Sequence, residues 1–429
     1  MKILARIAVL VLAFLLAGLD FLIDDSIIYP WRGAAVAVLV ASGLIASIIA
    51  FRKGWRWTAA LFAVVVAGAL WQGAQPWIAK NAVLARKSPD AISVERHFVI
   101  GYDDIATARQ LVRDAHIGGI FLTRRNVEGR STAAVAAEIA ELQSLRRAAG
   151  LPPLIVAADQ EGGPVSHLSP PLPKPPALST IAALPSAERL TAARRLGFVQ
   201  GSALKAMGVT MDLAPVCDLT PAAAPDMFDL HTRIATRSIS ADPAVTATVA
   251  TGFSEGLLSA DVMPTAKHFP GLGRVVKDTH LFGASLGTAE SDLQARDWQP
   301  FRAVLGLPGT AVMLAHVALD RIDPGVPASR SKRIVTGILR DQWGFKGIAI
   351  TDDLTMGAVE HAGLCRGIEG ALNAGIDLLL VSWDTDKIYP ALRCALDASD
   401  AGRLDPAMLK RSAERLDALG VQSASSSAR

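Results

Sequence analysis

A chain of 429 residues is long enough for a barrel-sized domain with an extension, and its net charge of +3 is close to balance. The sequence has no dense run of Lys and Arg interleaved with aromatic residues, which makes nucleic-acid binding a poor hypothesis. Hydrophobic residues make up 51% of the chain and the mean hydropathy is +0.33, with nearly all of the excess before residue 80. This uneven distribution predicts a membrane anchor followed by a soluble domain.

Three apolar runs form the predicted anchor, residues 1–80, with spans at about 4–23, 34–51 and 58–79. Each run has about the length that crosses a bilayer as a helix. Trp31, Trp55, Trp57, Trp71 and Trp77 lie near the predicted ends, as an interfacial aromatic belt requires. A signal peptide is the alternative for the first run, but no clear small-x-small cleavage site precedes Asp24 and two more runs follow.

The basic residues predict the orientation of this anchor. Lys2 and Arg6 lie at the start of the first run, and 52–56 carries three basic residues between the second and third runs. The positive-inside rule places both segments in the cytoplasm. We therefore predict a multi-pass protein of the cytoplasmic membrane, with the lipid bilayer as a partner. Everything after residue 80 then lies on the outer (periplasmic or extracytoplasmic) side, although Lys80, Arg86 and Lys87 count against this.

After a polar linker, residues 81–96, short apolar runs alternate with Ala-rich amphipathic segments over residues 97–420. Continuous apolar strands separated by helices are typical of a parallel sheet with both faces covered. Eight units predict an α/β fold, a (β/α)8 TIM-like barrel, with a doubly wound sheet as the alternative. The tail, 421–429, is predicted to be disordered. The predicted strands are 97–101, 119–123, 154–159, 210–215, 264–268, 311–316, 347–352 and 377–382.

Polar residues close several of these strands. In a (β/α)8 barrel the carboxyl ends of the strands carry the active site, so side chains from different strands converge there. A single polar residue at a strand end could be a satisfied core group, but several together favour a site. The residues concerned are Asp159, Asp218, Lys267, His268, His316, Asp352 and Asp353.

The most informative stretch is 266–280. It places Lys267 beside His268 at a strand end and then carries Asp278-Thr-His280 on a glycine-containing loop. An Asp can orient an imidazole and favour its charged form, and His titrates near neutral pH. This pattern predicts a basic pair that holds a polar substrate and a His that delivers a proton.

Three further phrases complete the candidate site. Asp159-Gln-Glu-Gly-Gly ends a strand with two carboxylates that could accept hydrogen bonds from sugar hydroxyls, and a Thr-Arg237-Ser loop could aim a guanidinium inward. Asp352 and Asp353 end another strand. From the residues alone, Asp352 could be a nucleophile, a general base, a metal ligand or a helix cap.

Together these phrases resemble glycoside hydrolase family 3, specifically its single-domain β-N-acetylglucosaminidases that act on peptidoglycan fragments. The resemblance covers about residues 95–415 and includes the 339–352 phrase that ends at Asp352. It implies a retaining exo-β-N-acetylglucosaminidase in which Asp352 is the nucleophile, His280 the general acid/base and Asp278 its partner. It also implies no metal and no cofactor, and it assigns substrate binding to Asp159, Arg237, Lys267 and His268.

The sequence departs from the family pattern at Pro164, His167 and Leu272, where the family has polar or charged residues. These departures concern the contacts with the group beyond the terminal sugar. They leave open a catalytically weak sugar-binding or cell-wall sensing module. A phosphorylase and a related β-glycosidase also stay open, as does a transporter accessory protein, although the three apolar runs favour a plain anchor.

The three cysteines, Cys217, Cys365 and Cys394, form no CxxC pattern and no metal-ligand spacing. Buried free thiols are the favoured interpretation. A Cys365–Cys394 bridge in an oxidising compartment stays open.

Overall fold

The computed structural model of the chain describes residues 11–13, 15–16, 18, 25–26, 28–114, 116–222, 232–276, 278–279 and 283–426. The chain divides into two compact units, Met1–Ala85 and Arg86–Arg429. The division falls inside the predicted linker, 81–96. Part of that linker is helical.

Among its described residues, the first unit contains the long helices α1 (Arg32–Arg52) and α2 (Arg56–Leu84). Among the described residues, the segments Tyr29–Arg52 and Arg56–Leu84 are long and apolar enough to cross a membrane. The predicted spans 34–51 and 58–79 lie within them. The predicted first span, about 4–23, falls mostly outside the described residues, so the anchor of three spans stays a prediction. Ala13, Leu16, Leu39, Phe62, Val65 and Ala69 form a small buried core in this unit.

The second unit is built around one sheet. Within the described residues, eight parallel strands form it in the order β7-β6-β5-β4-β3-β2-β1-β8. A parallel bridge between Ile350 and Leu378 joins the two edges and nearly closes the sheet into a barrel. The predicted barrel is confirmed and the doubly wound alternative is wrong. The strands are β1 (Phe98–Ile100), β2 (Gly119–Leu122), β3 (Ile155–Ala158), β4 (Met211–Asp212), β5 (Met263–Phe269), β6 (Ala311–Leu314), β7 (Ile348–Thr351) and β8 (Leu379–Val381).

Helices follow the strands and cover the outside of the sheet. Local signals set several of their ends: Asp104 and Asp242 accept hydrogen bonds from first-turn N–H groups, and Gly208, in the left-handed region, ends the helix Ser186–Met207. The longer helices are α3 (Pro89–Glu95), α4 (Ile105–Arg113), α5 (Thr132–Ala148), α6 (Ser186–Met207), α7 (Pro243–Ser259), α8 (Gln299–Leu305), α9 (Arg333–Gln342, a π-helix), α10 (Leu364–Ala374), α11 (Ile388–Asp400) and α12 (Pro406–Ser426).

Apolar side chains from the strands fill the barrel interior, so the barrel is a packed core and not a pore. Leu416 of α12 joins this cluster, and Leu419 packs against it. Polar side chains that could act on a substrate therefore lie at the strand ends and not within this apolar cluster. Members of the cluster are Val99, Phe121, Ala157, Met211, Leu213, Ala311, Met313, Ile348, Ile350, Leu378 and Leu380.

Cys365 on α10 and Cys394 on α11 form a disulfide, with 4.9 Å between their Cα atoms. The favoured interpretation of these two residues as free thiols is therefore wrong. The sequence could not decide the pairing because 29 residues separate the two cysteines, and the packing of two helices brings them together. Cys217 is buried.

Candidate active site

The site begins at the carboxyl end of β3, where the strand runs directly into Asp159. The chain then forms a two-stranded hairpin, in which Gln160–Gly162 pairs with Val165–Ser166. This turn buries Glu161, whereas the Asp159 side chain keeps 21% of its surface exposed. Two carboxylates two residues apart thus lie at one strand end, one buried and one open to solvent.

Two cations converge on these carboxylates, Lys267 from strand β5 and Arg237 from the segment between β4 and β5. Lys267, on β5, forms an ion pair with Asp159, and its Nζ lies 2.7 Å from Oε1 of Glu161. Arg237 reaches Glu161 with both ends of its guanidinium, Nη2 at 2.6 Å and Nε at 3.0 Å. Paired bonds of this kind fix the plane of both groups. The four side chains, here called the upper ion network, bring together three of the predicted binding residues.

The charges of the upper ion network keep Glu161 and Lys267 ionised. Burial alone would raise the pKa of Glu161, but the Arg237 and Lys267 cations outweigh it and hold that pKa well below its usual range. Burial alone would likewise lower the pKa of Lys267, and the carboxylates of Asp159 and Glu161 raise it instead. Because the network contains both cations and carboxylates, it can donate hydrogen bonds to the hydroxyls of a neutral sugar and accept hydrogen bonds from them.

His268 stands beside Lys267 across a cis peptide bond and belongs to the same site. Its Nδ1 donates to Oδ2 of Asp218 at 2.6 Å, and its Nε2 lies 3.3 Å from Nη2 of Arg237. Because a guanidinium N–H can only donate, Nε2 accepts, and the ring donates through Nδ1. Asp218 also accepts from the N–H groups of His268 and Leu272, so it fixes the orientation of this ring.

Asp352 and Asp353 follow β7 and differ in their surroundings. The carboxylate of Asp353 accepts five hydrogen bonds, from the N–H and hydroxyl groups of Thr355 and Ser382 and from the N–H of Trp383. Asp353 therefore ties the end of β7 to the end of β8. Asp352 accepts the N–H of Asp353 on Oδ1 at 2.9 Å and is partly exposed.

His316, which follows β6, is buried and contacts the backbone of the segment that carries Asp352 and Asp353. Its Nε2 donates to the carbonyl of Asp353 at 3.0 Å, and its Nδ1 accepts from the hydroxyl of Ser329 at 2.8 Å. Burial lowers the pKa of His316 in spite of the neighbouring Asp352 carboxylate. A neutral, fully bonded His316 is a structural support for the chain that carries Asp352.

The acid/base candidates lie on the loop after β5. Asp278 is buried, and its Oδ1 accepts from the hydroxyl of Thr232 at 2.9 Å. His280 lies outside the described residues, so the Asp278–His280 pair stays a prediction. Among the described residues no group of three or more His, Cys, Asp or Glu side chains is arranged to hold a metal ion.

Comparison with known proteins decides the family. The profile of the glycosyl hydrolase family 3 N-terminal domain matches residues 90–419. The chain belongs to glycosyl hydrolase family 3. A β-hexosaminidase of Nitrosomonas eutropha is 32% identical over 296 residues, which cover 67% of this chain and 81% of that protein. A Xanthomonas oryzae pv. oryzae β-hexosaminidase is 35% identical over 288 residues, 66% of this chain and 81% of that protein.

A solved family 3 β-N-acetylglucosaminidase from Paenibacillus superposes with a TM-score of 0.69 at 31% identity, covering 76% of this chain and 61% of that one. This chain thus spans about three fifths of that protein. The predicted glycoside hydrolase is confirmed, and these relatives support the predicted β-N-acetylhexosaminidase activity. The barrel of this family 3 hydrolase is the part that the matches cover.

For this family 3 hydrolase, the sequence pointed to Glu161 without its partner and gave no sign of a second buried acid, Asp212. Glu161 was visible in the Asp159-Gln-Glu phrase, but its pairing with Arg237 was not. Asp212 is the last residue of β4 and accepts from the N–H of Gln160 and from Nε2 of Gln200, at 3.0 and 2.9 Å. Burial raises the pKa of Asp212 to about 8, against the opposing hydrogen bonds. A lone Asp in an apolar run carries no signal that it will support the neighbouring hairpin.

Proposed function

We propose that this family 3 hydrolase is a retaining exo-β-N-acetylglucosaminidase that removes terminal GlcNAc from peptidoglycan or its fragments. The observation that carries the proposal is the separation of two sets of groups at one end of the barrel. The upper ion network gathers hydroxyl-binding groups on the side of β3 to β5, and Asp352 lies at the end of β7. A terminal sugar can place its hydroxyls on the first set and its anomeric carbon at the second.

In the first step the carboxylate of Asp352 attacks the anomeric carbon and the glycosidic bond breaks. The imidazolium of His280 gives its proton to the departing oxygen, and a covalent glycosyl-enzyme forms. In the second step neutral His280 takes a proton from a water molecule that attacks the same carbon and frees Asp352. Two displacements at one carbon give net retention, and a His-Asp pair replaces the second carboxylate of the usual scheme.

Asp159, Arg237, Lys267 and His268 are proposed to bind the hydroxyls and the acetamido group of the terminal GlcNAc. Support comes from the number of donors and acceptors that converge there within a buried setting. Because a site built to hydrogen-bond a hydroxyl leaves its own polar groups unpaired when that hydroxyl is missing, such a site discriminates strongly. The discrimination would favour the end of a glycan chain, which is what exo-action requires.

We also propose that the barrel lies outside the cytoplasmic membrane, held by a multi-pass anchor. Two observations support this location. The segments Tyr29–Arg52 and Arg56–Leu84 are long and apolar enough to span a bilayer, and the Cys365–Cys394 disulfide is typical of an oxidising compartment. Alkaline phosphatase and green fluorescent protein fused after residue 90 would test it. Phosphatase activity without fluorescence is the expected result, and the reverse would contradict the orientation.

The activity is tested with the full chain in detergent, using an activated aryl β-N-acetylglucosaminide. We expect the parent to release the phenol, Asp352→Ala to lose activity, and His280→Ala to be slowed less on a better leaving group, since proton donation then matters less. The first-formed sugar, followed by proton NMR, should be the β-anomer. An α-anomer would contradict retention. No release by folded parent on this substrate or the matching glucoside would favour the sugar-binding module instead.

A further inference from the structure

Trp383 is an exposed aromatic side chain at the catalytic end of the barrel. It follows β8 by two residues, and 56% of its surface is accessible. Scattered exposed apolar residues are common on protein surfaces and need no explanation. Trp383 differs from them because its position is fixed by the site itself.

Hydrogen bonds hold the backbone of Trp383 on both sides. Its N–H donates to Oδ2 of Asp353 at 2.9 Å, and its carbonyl accepts from Nη2 of Arg125 at 3.0 Å. The same guanidinium contacts Asp103 at 2.5 Å, and its central carbon lies 5.8 Å from the centre of the indole ring. This cation–π contact and the two backbone bonds order the indole before any ligand arrives. A pre-ordered group loses little conformational entropy on binding.

The same bonds place Trp383 close to the proposed nucleophile. Asp353, which accepts the N–H of Trp383, donates its own N–H to Oδ1 of Asp352 at 2.9 Å. Two hydrogen bonds therefore connect the backbone of Trp383 with the carboxylate of Asp352. In sheet order, β8 lies between β7 and β1, across the barrel from β4.

This placement fixes which part of a substrate can reach the indole. A terminal sugar with its hydroxyls on the upper ion network points its anomeric carbon at Asp352, away from β3 to β5. Because Asp352 attacks one face of that carbon, the leaving group departs from the opposite face and out of the site, at the end of the barrel where the exposed Trp383 lies. A pyranose ring presents an apolar C–H face, and an indole offers a flat apolar surface that matches it.

We propose that Trp383 is a stacking platform for the saccharide ring of the leaving group, and so a residue that selects glycan over other aglycones. The proposal rests on the proposed function, because Asp352 defines where the leaving group departs. Arg125 positions the platform and does not contact the reacting atoms. Pro164 and His167, where the sequence departs from the family pattern, follow β3, on the other side of the barrel from Trp383.

The test compares two substrates of the full chain in detergent. One is a β-linked disaccharide, di-N-acetylchitobiose, and the other is β-N-acetylglucosaminyl fluoride, whose leaving group has no ring. We expect Trp383→Ala to lower kcat/KM for the disaccharide about tenfold, as the loss of one aromatic contact predicts. Cleavage of the fluoride should stay within about twofold of the parent. Trp383→Phe, which keeps a ring, should recover most of the loss.

Phe198→Ala is the matched control, because Phe198 is an exposed aromatic in the interior of helix α6, away from the strand ends in sequence. It should change neither reaction. An equal loss on both substrates, or no loss on the disaccharide, would overturn the proposal. Cleavage of the fluoride but not of the disaccharide by the parent would overturn it as well. If the parent cleaves neither, the proposed function fails first and the stacking platform fails with it.

Discussion

Asp377 and Glu161 are both buried carboxylates that face two cations, yet they lie at opposite ends of the barrel. Asp377 precedes β8 and pairs with Arg340 and Arg415, each at 2.7 Å. It also accepts from the hydroxyl of Ser412 at 2.6 Å and the N–H of Ala349 at 2.8 Å. This lower ion network joins α9 and α12 to the start of β8.

The two networks use the same kinds of residue and differ in what remains for a ligand. Both oxygens of Asp377 are covered by groups of the protein, and its side chain is fully buried. In the upper ion network, Asp159 stays partly exposed beside a buried lysine. Charge and burial alone therefore do not identify a site in this barrel. A site in this barrel is identified by the strand end at which its residues lie and by their access to solvent.

Breaking the lower ion network should have the largest effect on stability. Asp377→Ala leaves the partly buried guanidinium groups of Arg340 and Arg415 without their carboxylate, and we expect a loss of about 3–5 kcal/mol in the free energy of unfolding. Denaturant unfolding of the full chain in detergent measures it. Asp377→Asn, which keeps the shape and some hydrogen bonds, should lose less. Catalysis by the remaining folded protein should be unchanged, and a loss of kcat/KM without a loss of stability would contradict the comparison.

Breaking the upper ion network should affect activity more than stability. Lys267→Met removes the cation between Asp159 and Glu161, and we expect kcat/KM to fall about 10²–10³-fold, as for loss of one fixed donor at a reacting site. Arg237 still pairs with Glu161, so the free energy of unfolding should change less than in Asp377→Ala. Lys205→Met, at an exposed lysine on α6, is the control and should leave kcat/KM unchanged.

Asp212 accepts a hydrogen bond from the hairpin that carries Glu161, and its burial predicts how the stability of the chain depends on pH. Its pKa in the folded chain, about 8, lies above the ordinary value of 3.8 because of burial. An acid whose folded pKa is raised contributes stability that is fully present below its unfolded pKa and lost as the pH rises through the folded one. We therefore expect the parent to lose stability between pH 4 and 8 relative to Asp212→Asn, by more than about 1.4 kcal/mol, the equivalent of one pKa unit. Parallel pH profiles of the two proteins would contradict this.

Arg237→Lys should have the smallest effect of the four changes. Lysine keeps the positive charge but cannot make the paired contact with both oxygens of Glu161. We expect kcat/KM to fall about tenfold, equivalent to about 1.4 kcal/mol, with KM rising more than kcat falls. An unchanged KM would show that the geometry of the guanidinium does not matter for substrate binding.

Several parts of the fold could be predicted from local sequence. The continuous apolar runs that become β3, β6 and β7 are long enough and regular enough to predict a covered parallel sheet, and their terminal polar residues point to one end of it. Asp159, Lys267 and His268 were found in this way. The two described helices of the first unit follow from apolar length alone. Arg237 needed the family resemblance to acquire a role, because its short helix, Ile234–Arg237, has no pattern of its own.

By itself the sequence determined the order of strands and helices and the residues that close each strand, because apolar periodicity and strand ends are local properties. The tertiary structure alone decided which of those residues meet. It separated Asp352 from Asp353, paired Glu161 with Arg237 across 76 residues, and joined Cys365 to Cys394. Contacts of this kind depend on closure of the sheet, which brings the ends of distant strands together. Closure is a property of the whole barrel and of no single segment.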